Sequence, residues 1–227
     1  MRLVLFDIDG TLLLSGGAGG RALSGAIAQT YTLPTGTDGV RFDGKTDPQI
    51  VREILSHHGQ EDRFTDEKVS SLFSIYLALL RKELTAGDGF LVLPGARKLV
   101  RTLDRQEHFL LGLATGNIEE GARLKLERAG LESFFAFGGF GSDAENRTDI
   151  VRVAMERGRK RNAPFNPEKV FVVGDTPRDI VHAKEAGVCT LAVASGNYSL
   201  DALRSYQPDL AVASLQPIEP IVEFLSS

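Results

Sequence analysis

Asp7 and Asp9 close an apolar run, Leu3-Val4-Leu5-Phe6, and are followed by Gly10 and Thr11. The run reads as a short strand buried on both faces, so the two acids stand where it breaks into a loop. Removing a carboxylate from water is costly unless a counter-charge meets it. A divalent cation is the direct remedy; the plain alternative is a strand followed by an ordinary polar turn. Two further apolar runs end in comparable groups. Residues 110–114 run into Thr115-Gly116-Asn117, and residues 170–173 into Gly174-Asp175-Thr176-Pro177-Arg178-Asp179. In an open α/β sheet, ligands bind beyond the carboxyl ends of the strands. If these three strands are neighbours, their carboxylates, hydroxyl and helix-start N–H groups suit a hard cation with a phosphate beside it.

The elements that must position these groups alternate from about residue 91 onward. Helical patterns cover 95–106, with Leu99, Val100 and Leu103 on one face, and 119–129, closed by Gly130. Further helices cover 147–157 and 177–186, the last closed by Gly187, and apolar strands cover 110–114, 169–173 and 189–194. Such alternation implies right-handed βαβ units and a parallel sheet covered on both sides. Residues 14–93 read differently. A glycine-rich exit at 16–20 and a return at Gly87-Asp88-Gly89 bracket three helical patterns, 21–31, 47–57 and 66–84, with no convincing strand. The glycines read as hinge points. The predicted fold is a doubly wound, Rossmann-like α/β core of residues 1–14 and 92–227, with an inserted helical cap at 15–91.

The chain's 227 residues suit one hydrophobic core plus a modest insertion. With 42% apolar and 25% charged residues, its composition is that of a globular protein in water. A net charge of −4 argues against a nucleic-acid or membrane surface binder. The single cysteine, Cys189, excludes an intrachain disulfide and suits a reducing cytoplasm. No apolar stretch reaches membrane-spanning length. The expectation is a cytoplasmic monomer or homodimer acting on a small molecule.

The strings DIDGT, LATGN and VVGDTPRD, in this order, resemble the haloacid dehalogenase superfamily of phosphohydrolases, and most of all its phosphoglycolate-phosphatase-like members with a helical cap. The resemblance implies an aspartyl-phosphate mechanism on a small phosphomonoester. Asp7 would be the nucleophile, and Asp9 the acid that protonates the leaving alkoxide and later accepts a proton from water. Mg²⁺ would be held by Asp7, the Asp9 backbone carbonyl and Asp175, with Asp179 ligating through water or orienting its neighbours. Thr115 and the Gly116 amide would hold phosphate oxygens, with Gly10 and Asn117 of the same motifs also facing substrate. The family usually carries a lysine ahead of the last motif. Arg147 stands there in this chain, keeping the charge and adding bidentate geometry; the competing reading makes Arg147 a solvated helix-start residue, with Lys160 or another cation in the role.

In the cap, Lys45 and Thr46 lie on a loop of the kind that reads substrate in related phosphatases. Thr46 or Asp47 also reads as the N-cap of the next helix, with Pro48 at its first position. The glycines at 16–20 lack the GK[ST] of a phosphate loop, so a hinge accounts for them better. Phe134, Phe135, Phe137 and Phe140 read as core around a short strand. Rival functions are a phosphomutase, a 2-haloacid dehalogenase, or a non-catalytic phospho-acceptor module. Dehalogenases of the family lack the second acid, so Asp9 speaks against that chemistry, and Asp9, Thr115 and Asp175 together favour turnover.

Overall fold

The computed structural model describes residues 1–34, 39–87, 89–161 and 169–227; Asp88, part of the expected return hinge, lies outside them. In chain order, β1 (Arg2–Phe6) and β2 (Leu13–Ser15) precede three helices, α1 (Ala18–Tyr31), α2 (Asp47–His57) and α3 (Asp66–Ala86). β3 (Phe90–Val92) and α4 (Ala96–Asp104) lead into β4 (Phe109–Ala114), α5 (Glu119–Ala129) and β5 (Gly138–Gly139). Then come α6 (Arg147–Arg161), β6 (Val170–Gly174), α7 (Pro177–Glu185) and β7 (Cys189–Val193). α8 (Leu200–Arg204), β8 (Leu210–Val212) and α9 (Glu219–Ser226) follow.

Six parallel strands form one sheet in the order β5-β4-β1-β6-β7-β8, the α/β architecture that the alternating pattern implies. Leu3 to Phe6 of the central β1 are fully shielded, because helices cover both faces of the sheet. Side chains alternate across a strand. Val4 and Phe6 accordingly join Leu99 and Leu103 of α4 and Ile221 and Leu225 of α9. Leu3 and Leu5 face the other way, into Ile150, Val151 and Ala154 of α6 and Ala183 of α7. Phe135, Phe137 and Phe140 are buried around β5, as their clustering suggested. In β1, Phe6 lies opposite Leu113 of β4 and Val173 of β6. That register brings the three chemically loaded strand ends level and side by side.

The inserted helices share a second cluster. Their buried positions recur at helical spacing: Ala22, Leu23, Ala26 and Ile27 on α1, Ile50, Val51, Ile54 and Leu55 on α2, and Leu72, Tyr76, Leu80 and Leu84 on α3. Ile118 and Leu124, from the region of α5, complete it, so the two layers meet over that helix. Thr46 and Thr65 cap α2 and α3 through their hydroxyls.

One expectation is corrected at the ends of this segment. β2 and β3 pair antiparallel there, Leu13 opposite Val92 and Ser15 opposite Phe90. Each has three residues, too few for an alternating pattern to register in sequence. Gly89 lies directly over Gly16; a Cβ on Gly89 would stand 3.2 Å from the Gly16 Cα.

Leu80 is fully buried at the centre of the helical cluster. Leu80→Ala removes its contacts and leaves a cavity, so urea unfolding should show a loss of about 2–5 kcal/mol. A loss within about 0.5 kcal/mol, typical of surface positions, would mean that this cluster contributes little to stability.

Candidate active site

Asp7 sits one residue past β1, its amide donating to the Val173 carbonyl at 2.9 Å. Asp175 follows β6, and the Thr11 hydroxyl donates to its Oδ1 at 3.1 Å. This closeness explains the glycine of the first motif. Gly10 has φ +83°, and a Cβ there would stand 2.2 Å from Asp175 Oδ2. Asp179, on the first turn of α7, directs Oδ2 to the Thr176 amide at 3.0 Å and hydroxyl at 2.7 Å. Its other oxygen accepts from Arg147 Nη2. Both oxygens of Asp179 are therefore engaged, one of them in the capping box that starts α7.

Arg147 opens α6 and is buried with these acids. Its Nη2 lies 3.5 Å from Asp7 Oδ1 and 3.5 Å from the Ala114 carbonyl. Lys160, the competing cation, lies on the surface paired with Glu156 at 2.7 Å, away from this cluster. The guanidinium stays charged: burial disfavours the cation, but Asp179, Asp7 and Asp175 outweigh it. Burial drives Asp7 up to about 7 against the pull of Arg147, and drives Asp175 up to about 9, with the neighbouring carboxylates adding to each rise. Carboxylate oxygens of Asp7, Asp175 and Asp179 lie within 4.8 Å of one another. When all three acids ionise, their charge exceeds that of the one guanidinium in a buried, all-oxygen site. That donor set fits a hard divalent cation.

Asp9 faces a different environment, with 38% of its side chain exposed. Its Oδ2 accepts from Lys125 Nζ at 2.6 Å and from Asn117 Nδ2 at 2.9 Å. The Asn117 amide also donates to the Thr115 hydroxyl at 2.8 Å, which ties the end of β4 to the end of β1.

A cavity of about 480 Å³ opens over these groups. Asp7, Asp9, Gly10 and Asp175 form its floor with Thr115, Gly116, Asn117 and Arg147, while Leu23, Phe42, Ile50 and Tyr76 of the helical layer form its apolar wall. Lys45 also borders it, paired with Glu53. Thr46 does not border it: its hydroxyl caps α2, accepting from the Gln49 amide at 3.3 Å. The helical layer is hydrogen-bonded to the floor. The Asp47 amide donates to the Gly116 carbonyl at 2.8 Å, and its carboxylate accepts from the Ile118 amide at 2.9 Å. Asp47 and Ser142, whose hydroxyl accepts from the Glu119 amide at 3.2 Å, thus satisfy N–H groups at the start of α5 that Ile118 cannot cap itself. A Cβ on Gly116 would stand 2.1 Å from the Lys45 carbonyl, so the loops meet backbone to backbone.

Two buried charges here escape a reading of the sequence, Asp47 as more than a helix-start residue and Lys125 altogether. A signal for Lys125 exists. It lies in the apolar stripe Ala122-Lys125-Leu126-Ala129, where a charge is out of place on a helix facing a core.

The family model for haloacid dehalogenase-like hydrolases matches residues 4–193. The chain belongs to that family. It is 29% identical over 227 residues to a protein of Halalkalibacterium halodurans named pyrophosphatase PpaX, covering 96% of this chain and 95% of that one. It is 25% identical over 226 residues to the phosphoglycolate phosphatase of Pseudomonas putida, covering 96% and 79%. Among solved structures, a hydrolase from Pseudomonas syringae superposes with a TM-score of 0.71 at 21% identity, covering 99% of this chain and 98% of that one. Among the described residues, no helix is long and apolar enough to cross a membrane.

Burial pushes Asp47 from an ordinary 3.8 up to about 6, against the pull of Lys125 and the Ile118 amide. A raised carboxyl binds its proton more tightly folded than unfolded, so its contribution to stability is full below about 4 and is lost as pH rises to about 6. Asp47→Asn keeps an oxygen for the Ile118 amide and does not titrate. The stability of this variant relative to wild type should therefore rise between pH 4 and 6.5, by up to ~1.4 kcal/mol for each pH unit crossed, and then level off. Thermal melts across that range test it; a difference constant with pH would place the Asp47 carboxyl in its ordinary range.

Proposed function

We propose that this chain is a Mg²⁺-dependent phosphatase that hydrolyses a small phosphomonoester through an aspartyl-phosphate on Asp7. The observation that carries this reading is the convergence of Asp7, Thr115, Asp175 and Arg147 on one cavity floor, with Asp9 beside them. Relatives named phosphoglycolate phosphatase and pyrophosphatase support phosphate-ester chemistry. In the first step an Asp7 oxygen attacks phosphorus, the P–O bond to the alcohol breaks, and Asp9 gives the leaving oxygen its proton. In the second, Asp9 takes a proton from water, whose oxygen attacks the same phosphorus, releasing inorganic phosphate and regenerating Asp7. Arg147, held by Asp179, meets the charge on the phosphoryl oxygens, and the Thr115 hydroxyl and Gly116 amide donate to them. Asp7, Asp175 and the Asp9 carbonyl would hold Mg²⁺, which supplies the positive charge that lets an anionic ester approach a carboxylate.

Residues 15–91 act as the cap that selects the leaving group, with Lys45 and the apolar wall at its surface. Phosphoglycolate-like and sugar phosphates are the substrate classes that this reading favours. A half-buried, lone Cys189 on β7 accords with a reducing cytoplasm.

Phosphate release from 4-nitrophenyl phosphate tests the reading. Activity should appear with Mg²⁺, vanish in EDTA, and be abolished in a folded Asp7→Asn variant, since an amide is a poor nucleophile and a poor metal ligand. Full activity in EDTA, or a substantially active Asp7→Asn, would refute it.

The two cations should behave differently. Arg147→Ala should depress kcat/KM on every phosphomonoester by a similar factor, and Arg147→Lys should recover part of it. Lys45→Ala should raise KM chiefly for anionic substrates such as phosphoglycolate, by roughly ten- to a hundredfold for a lost charge-assisted bond. A silent Arg147→Ala would remove that residue from the site.

A further inference from the structure

We propose that Lys125 is a positioning residue that fixes the hydrogen-bond polarity of both Asp9 and Thr115, a role that rests on the phosphatase reading. Lys125 is 4% exposed, inside α5, and a buried ammonium is tolerated only when its protons are met. Two of its three protons are met by Asp9 Oδ2 and by Asn117 Oδ1, each at 2.6 Å. Asp47 adds a further buried negative charge nearby. On the cap side, a Cβ at Gly19 would come within 3.2 Å of Nζ, so α1 packs closely over the ammonium at a glycine.

An ammonium donates and never accepts. The Asn117 atom that faces it must therefore be the amide oxygen, which settles the orientation of the amide on chemical grounds. The Asn117 NH₂ is then turned to Asp9 Oδ2 at 2.9 Å and to Thr115 Oγ1 at 2.8 Å. Two consequences follow. Asp9 Oδ2 is engaged by two donors, which leaves Oδ1 as the oxygen able to pass a proton to the leaving group. Thr115 Oγ1 accepts from the Asn117 side chain and, at 3.4 Å, from its backbone amide, so the hydroxyl's own proton is left to donate. One buried ammonium thus aims the acid that serves the leaving group and the hydroxyl that serves the phosphate. Lys125 does this from outside the reacting atoms, through Asp9 and Asn117.

The test compares phenyl phosphate with 4-nitrophenyl phosphate, two esters of similar shape whose leaving groups differ in their need for a proton. kcat/KM reports formation of the aspartyl-phosphate. In Lys125→Met it should fall on the order of tenfold or more for phenyl phosphate and several-fold less for 4-nitrophenyl phosphate, a part of the ~10²- to 10⁴-fold that acid–base catalysis supplies. Lys125→Arg, which keeps the donors, should recover part of the loss. If Lys125→Met does not fold, as judged by circular dichroism, Asn117→Asp carries the same test. It keeps an acceptor for Lys125 but removes the donor to Asp9 and Thr115, and should show the same dependence on leaving group. Equal losses on both esters, no loss, or a change confined to KM overturns this role for Lys125 and leaves the phosphatase reading standing. A wild-type enzyme that releases phosphate from neither ester with Mg²⁺ overturns both.

Discussion

The structure turns on carboxylates that share one buried site. Oxygens of Asp7, Asp175 and Asp179 lie within 4.8 Å of one another, although like charges so close raise each other's energy and burial removes the water that would screen them. Much of the sheet's centre answers to that demand. Arg147 is placed at the start of α6 so that its guanidinium reaches Asp7 and Asp179 together. Thr11 turns back from the first loop to donate to Asp175. Gly10 leaves the space that Asp175 occupies. What these groups cannot compensate is the charge of all three acids when ionised, which fits the hard cation and the anionic, cation-assisted substrate proposed for the cavity.

Asp179 shows how a structural and a chemical demand are met by one side chain. One of its oxygens completes the capping box of α7, and the other accepts from Arg147. The rigid start of a helix thereby becomes the support for a guanidinium that faces Asp7. Asp47 does something similar between layers, starting α2 with its own backbone while its carboxylate accepts from the Ile118 amide just ahead of α5. The loop that carries Thr115 and Gly116 is consequently bonded to the helical layer. If residues 15–91 move as a cap, those bonds must break and re-form with each opening, which would couple the phosphate-binding loop to the state of the cap.

Asp7, Asp9, Thr115 and Asp175 were legible in the sequence because each stands directly after an apolar strand, and a parallel sheet delivers adjacent strand ends to one crevice. The α5 and α2 helices were legible from periodicity and turn residues alone. β2 and β3 were not, since three residues cannot display a period and their pairing joins segments far apart in the chain. Arg147 was legible as a charge but not as a partner of Asp179. Lys125 went unread because its role rests on contacts with Asp9, 116 residues away, and with the polarity of an amide. Thr46 illustrates the reverse: its capping role was legible locally, and the cavity wall passes it by.

The one-residue spacing of Asp7 and Asp9 gains its meaning from this arrangement. Residues two apart on a strand share a face, but β1 ends at Phe6, and past it the two acids enter different surroundings: one side chain is 7% exposed and the other 38%. Arg147 stands beside the first and Lys125 beside the second, so each carboxyl has its own cation. For a two-step displacement this division is a physical requirement. The nucleophile must lie in a dry, positively compensated site, while the proton carrier must meet both an alcohol and a water. The two cations engage their acids differently: Arg147 faces Asp7 Oδ1 in the dry site, whereas Lys125 engages Oδ2 of the half-exposed Asp9 and leaves Oδ1 for the proton. The partition of cations between Asp7 and Asp9 is therefore as much a part of the proposed chemistry as the acids themselves.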